Sequence, residues 1–277
     1  MLRNLRIIAI VACGVAAVIF AHTAVSLGAS PSNQVQAILD RQPYLLKRAL
    51  AELKPAEQGS THLYFVGLAG YGTEAVFKRE VVAVRQLFDE KFGTKGRSIA
   101  LINHHTTANE VPLANVTNLD GVLQHLGRLM DVDRDTLLLF LTSHGVEGVL
   151  SLEMPGLKLK QLRPIDLRRM LSRSGIKNRV VILSSCHSGS FIPAIADSKT
   201  LVITASRADR SSFGCEDQRE WTYFGDAYFN RALRQESSFR RAFNKAKELI
   251  TGWEVRDRLM PSLPQIAGGE GLAEVDR

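Results

Sequence analysis

Arg179-Val180-Val181-Ile182-Leu183-Ser184-Ser185-Cys186-His187-Ser188-Gly189-Ser190 is an apolar run that stops at a cysteine and continues in small residues. Four consecutive aliphatic residues without polar alternation suit a short strand buried on both faces. The same design occurs upstream, where Thr136-Leu137-Leu138-Leu139-Phe140-Leu141-Thr142-Ser143 leads to His144 and Gly145. Two buried strands thus end, respectively, in a thiol and an imidazole.

Working outward, further apolar runs alternate with helical patterns. Leu63–Gly67 reads as a strand, and so do Ser98–Asn103 and Thr200–Thr204. Helices are predicted over about Glu74–Phe92, Asn118–Met130, Asp166–Ser174, Gly225–Leu233 and Ser238–Arg256 from apolar positions at 3.6-residue spacing. Val149–Met154 and Leu157–Leu159 read as a hairpin turning at Pro155-Gly156. Continuous apolar strands alternating with helices require a mostly parallel sheet covered on both faces, hence an α/β class. One such domain is expected over residues 61–267. In these sheets chemistry gathers beyond the carboxyl ends of the strands, which is where both His144 and Cys186 fall.

The flanks read differently. Arg3 and Arg6 precede an uncharged run from Ile7 to Ala21, so residues 1–29 read as a signal peptide or a retained signal anchor. Residues 30–60 read as a helical lead-in, about Gln34–Leu53 with Pro43 interrupting it, followed by a linker at Lys54–Ser60. This lead-in suits a covering prosegment or a membrane-proximal stalk. The Gly-rich, charged residues 268–277 read as a flexible tail. The formal charge of +7 over 277 residues is a small excess, read as solvated surface rather than a nucleic-acid footprint. No Cys-x-x-Cys or His-Glu-x-x-His spacing occurs, so no zinc-site spacing is present.

A thiol becomes a useful nucleophile as the thiolate, and a nearby histidine can take its proton and later protonate a leaving amine. Cys186 and His144 are the candidate pair. The backbone amides of Gly145 and Cys186 are candidate donors to an oxyanion, since glycine lets the chain approach a substrate closely. A lone cysteine after a strand is otherwise a small buried hydrophobe, and a lone strand-end histidine a hydrogen-bonded structural residue. A disulfide between Cys186 and Cys215 would exclude the thiol role. His187 is a competing imidazole.

The segments Leu137–Gly145 and Val181–Ser190 resemble the His-Gly and small-Cys motifs of clan CD cysteine peptidases. Ala205–Cys215, Thr222-Tyr223-Phe224-Gly225-Asp226 and Pro261–Gln265 are similar to the legumain family in particular, in a bacterial branch. The resemblance implies a caspase-like three-layer sandwich and hydrolysis of peptide bonds in a protein or peptide substrate. It implies no cofactor, a Cys186–His144 dyad, and Ser184, Ser212 and Asp226 at the substrate. A transamidase using the same nucleophile and a silent binding module on the same fold are the alternatives. With the leading segment, it implies an exported protein, periplasmic or anchored to the inner membrane. In legumain an arginine and an asparagine in the loop after the first strand, and a glutamate two residues before the nucleophile, complete the site. Here Gly67–Phe77 has neither arginine nor asparagine and the glutamate position is Ser184, so asparaginyl specificity is not implied. The third catalytic member is absent or supplied elsewhere.

Overall fold

The computed structural model describes residues 31–57 and 59–272. The targeting segment read over residues 1–29 and the end of the tail, 273–277, lie outside the described residues. Within them no helix is long and apolar enough to cross a membrane.

In chain order the elements are α1 (Pro31–Ala51), β1 (Leu63–Ala69), α2 (Ala75–Lys91), β2 (Ser98–Ile102), α3 (Val116–Leu129) and β3 (Thr136–Thr142). A short ladder, β4 (Gly145–Val146) with β5 (Val149–Leu150), precedes α4 (Pro164–Ser174) and β6 (Asn178–Ser184). A 3-10 turn at Ser188–Phe191, α5 (Ile192–Ile195) and β7 (Thr200–Thr204) follow. Then come α6 (Tyr223–Gly225), a π-helical stretch at Asp226–Ala232, α7 (Leu233–Gln235), α8 (Phe239–Arg256) and β8 (Gln265–Ala267).

The main sheet runs β2-β1-β3-β6-β7-β8, parallel throughout except for β8, which pairs antiparallel with β7. All seven residues of β3 are buried, as a central parallel strand requires. Strand periodicity divides them. Leu138 and Phe140 join Phe65, Phe88, Ile182 and Phe229 in the core under α2 and α8, while Leu137, Leu139 and Leu141 join Val66, Leu126, Leu183 and Leu167 under α3 and α4. The result is a three-layer α/β sandwich, the class the alternating runs predict. α2 buries Val76, Phe77, Glu80, Val81, Val84, Leu87 and Phe88, one face of a helix. α4 starts at Pro164 and stops at Gly175, whose φ of 73° a side-chain-bearing residue rarely takes.

Three local expectations change. α1 runs through Pro43 instead of breaking there. Gln42 and Leu45 are buried on the inner side while Pro43 is exposed, so the carbonyl that loses its N–H partner faces water. The hairpin at Pro155-Gly156 reduces to a single bridge between Met154 and Leu157. The ladder forms one turn earlier, where Gly148 (φ 73°) lets Val149 fold back on Val146. Glu153 is drawn instead to the loop after β1, bonding backbone to backbone with Gly70 and Gly72 at 2.8 and 3.0 Å. Finally, β8 was not foreseen: with one large apolar residue, Ile266, it carries no strand signal of its own. Beyond it, Gly269 and Gly271 still donate to the carbonyls of Asp197 and Ser198.

Candidate active site

The parallel register of β3 and β6 sets Thr142 opposite Ser184. His144 and Cys186 are each two residues further on, so they leave adjacent strand ends level with one another. The chains stay close beyond the sheet. Ser143 N donates to Ser184 O at 3.2 Å, and a Cβ placed on Gly145 would lie 2.6 Å from the Cys186 carbonyl oxygen. That contact accounts for glycine directly after the histidine.

Cys186 is a free, half-buried thiol. The Ser212 amide donates to its Sγ at 3.3 Å and the Ser212 hydroxyl at 3.8 Å, while the Ser212 carbonyl oxygen is 3.5 Å from Sγ and can accept from the thiol. A sulfur facing an N–H and a hydroxyl has donors placed to stabilise an anion. Cys215 is also free, so no disulfide consumes the Cys186 thiol. Burial, and then the neighbouring Cys186, push the Cys215 thiol far above the ordinary thiol range, which disfavours its thiolate.

The His144 ring is held on three sides. Tyr71 and Phe77 meet it edge-on, with ring centres 4.6 and 5.1 Å away, and Glu74 Oε2 lies 3.6 Å from its Nε2. His187 turns away. Its φ is 56°, and its Nδ1 sits 2.8 Å from the Ala208 carbonyl oxygen, so this imidazole is spent on the loop after β7. His104 is buried against Thr106 and His105, and burial, with Lys78 and His105 adding to it, holds its pKa at about 4.

Of the three residues placed at the substrate by resemblance, Ser212 touches the thiol. The other two are engaged elsewhere. Ser184 is 2% exposed, its hydroxyl 3.1 Å from that of Thr222. Asp226 accepts from Asn230 at 2.7 Å and from Arg231 at 3.1 Å, both on its own helical turn.

Behind the two strand ends lies a group that sequence reading missed. Glu80 of α2 is completely buried and accepts from Thr142 Oγ1 (2.6 Å), Thr222 Oγ1 (2.7 Å) and Thr222 N (3.2 Å). Burial raises its pKa, against the pull of those donors. The carboxylate ties β3, two residues before His144, through Thr222 to Ser184, two residues before Cys186. Among the described residues no cluster of His, Cys, Asp and Glu could hold a metal ion.

The Peptidase C13 family matches residues 115–269, more than half of the 277. The chain belongs to the Peptidase C13 family. This is the legumain-like group of clan CD cysteine peptidases, and the motif resemblance is borne out at that level. Mouse and rat legumain are each 30% identical to it over 97 residues, 34% of this chain and 22% of theirs. The C13 chain therefore aligns with less than a quarter of the legumains it matches. Caspase-1 from Spodoptera frugiperda superimposes with a TM-score of 0.52 over 77% of this chain and 92% of its own, at 12% identity. That likeness concerns the fold, which is caspase-like.

Proposed function

We propose that this C13 chain is a cysteine endopeptidase acting through Cys186 and His144. The observation that carries the reading is the matched departure of the two residues from neighbouring strands, with Gly145 packed on the Cys186 backbone. Cys186 gives its proton to His144, and the thiolate attacks the peptide carbonyl carbon. The Gly145 and Cys186 amides donate to the resulting oxyanion. The C–N bond breaks as His144 protonates the leaving amine, and a thioester remains on Cys186. Water, deprotonated by His144, then attacks the thioester, releasing the acid and restoring the thiol.

Ser212 is the residue assigned to substrate contact, because its amide and hydroxyl face the sulfur. Asp226 gives a basic P1 side chain little purchase while Arg231 and Asn230 hold its carboxylate. The uncharged segment Ile7–Ala21 behind Arg3 and Arg6 supports an exported protein, cleaved or anchored at that segment. The test is hydrolysis of a fluorogenic peptide panel by the full chain against Cys186→Ala and His144→Ala. Both variants are expected to lose turnover by a factor of about a thousand or more; hydrolysis that survives Cys186→Ala refutes the reading.

A further inference from the structure

We infer that Glu74 is the positioning residue of the dyad histidine, the third member that the loop after β1 lacks in its usual form. The inference rests on the dyad reading above. Glu74 occupies the residue before α2, with extended backbone angles (φ −107°, ψ 116°), a position where Ser, Thr, Asp or Asn ordinarily caps the helix and the longer glutamate side chain does not. It makes no such bond. The cap comes from far along the chain, as Asp217 Oδ1 accepts from Ala75 N at 2.7 Å. Arg79 fixes that arrangement, donating to the backbone carbonyls of Asp217 and Arg219.

With the cap supplied by Asp217, the Glu74 carboxylate faces His144. Its Oε2 accepts from Thr73 Oγ1 at 2.8 Å and lies 3.6 Å from His144 Nε2. The separation exceeds a hydrogen bond, as is common for catalytic contacts without substrate, and closes readily into one. Tyr71 and Phe77 flank the same ring from either side of Glu74 in sequence, so the loop and the first turn of α2 together fix its plane and its hydrogen-bond direction.

The consequence concerns which nitrogen does the chemistry. A carboxylate at Nε2 holds the proton there, leaving Nδ1 bare for the thiol proton. After transfer the imidazolium carries Nε2–H toward Glu74 and Nδ1–H toward the sulfur, and the negative carboxylate stabilises that ion pair. Tyr71 and Glu74 face the ring from the loop, Glu153 interacts with Tyr71 from beyond β5, Cys186 leaves the adjacent strand end, and Cys215 with Glu216 lies within electrostatic reach of Cys186 and Glu74.

The experiment needs no substrate. Iodoacetamide labelling of Cys186 in the full chain is followed by peptide mass mapping between about pH 5 and about pH 9, with Cys215 as an internal measure of intactness. His144→Ala is expected to lose labelling near neutral pH and to label only as a free thiol does, near about pH 8.5. Glu74→Gln, nearly isosteric, is expected to label about tenfold more slowly near neutral pH, the lower end of what an opposite charge within hydrogen-bond range does. Glu74→Asp is expected to recover part of the loss. If Glu74→Gln follows the wild-type profile while His144→Ala does not, the Glu74 assignment falls and the dyad stands. If His144→Ala also follows wild type, both fall. A second measurement does not depend on how the Glu74 variants fold. Nitrogen-15 shifts of the neutral His144 ring in Cys186→Ala are expected to show the Nε2–H tautomer, and an Nδ1–H tautomer overturns the inference.

Discussion

Replacing Glu80 probes the polar cluster beneath the two strand ends. The carboxylate is fully buried, and its partners are Thr142 Oγ1, Thr222 Oγ1 and Thr222 N, with no basic side chain among them. In Glu80→Ala the Thr222 hydroxyl keeps Ser184 and Gly225 as neighbours, while the Thr142 hydroxyl and the Thr222 N–H lose the bonds that Glu80 accepts. Each orphaned buried group costs about 1–3 kcal/mol, and relief of the buried acid offsets part of the sum, so a net loss of about 2–4 kcal/mol is expected. Glu80→Gln keeps the volume and one acceptor, and serves as the reference for pH. Because burial raises the folded-state pKa above the ordinary 4.5, the native protein holds a proton that the unfolded chain has released. That contribution is fully present below the unfolded value and is lost as pH rises through the folded one. Urea unfolding from about pH 4 to about pH 8 should therefore show wild type losing stability relative to Glu80→Gln as pH rises, by at most about 1.4 kcal/mol per unit. A gap that is flat, or that grows in favour of wild type toward high pH, would mean the three donors outweigh burial. Stability of Glu80→Ala within about 0.5 kcal/mol of wild type would refute the orphaned-group reasoning.

Two further outcomes follow from the geometry. In Gly145→Ala the new methyl would sit 2.6 Å from the Cys186 carbonyl, 3.1 Å from Ser185 Oγ and 3.1 Å from the Val149 carbonyl. Two of these are backbone atoms that cannot swing aside, so the strand ends must part. Neutral-pH labelling of Cys186 and any peptidase activity are expected to fall about a hundredfold, with stability lower by about 1–3 kcal/mol; wild-type rates would show that the close approach is dispensable. For His104, burial first, then Lys78 and His105, hold the ring neutral to about pH 4. Its depressed folded-state pKa contributes stability that is present above the ordinary 6.5 and lost as pH falls toward 4. Proton NMR should give a midpoint near 4, and one near 6.5 would contradict the burial argument.

The central strands were legible because burial on both faces leaves an unbroken apolar run. Thr200–Thr204 matches β7 end to end, and the run into Cys186 matches the end of β6. The candidate pair stood out for the same reason, since a strand that must stay apolar makes a sudden cysteine or histidine conspicuous. The supports of that pair did not. Glu74 sits at a helix start, where acids are common, and the cap beside it comes from Asp217, which is more than a hundred residues away in sequence. Glu80 did leave a trace: it falls on the buried face of α2 beside Val76, Phe77, Val81 and Val84, a position where an acid is out of place unless it is paired. β8 escaped because a three-residue edge strand owes its existence to β7 rather than to its own composition.

The site is assembled from two sides of the family boundary. His144, Cys186, Ser212, Asp217 and Thr222 all fall within the matched residues 115–269, whereas Glu74 and Glu80 precede them. Those two carboxylates act on the matched segment at different depths. Glu80 reaches under the sheet to Thr142 and, through Thr222, to Ser184, so it fixes where the strands end. Glu74 meets the His144 imidazole where both are part-exposed. The matched segment answers with Asp217 on the start of α2 and is gripped by Arg79 from the same helix. The β1–α2 unit is thus held by the loop between β7 and α6, and it holds that loop's Thr222 in turn. Displacing the loop would uncap α2, shift Glu74 and unsettle Thr222 in one movement. Cys186, at the end of a buried strand, is thereby made dependent on contacts far from its own sequence.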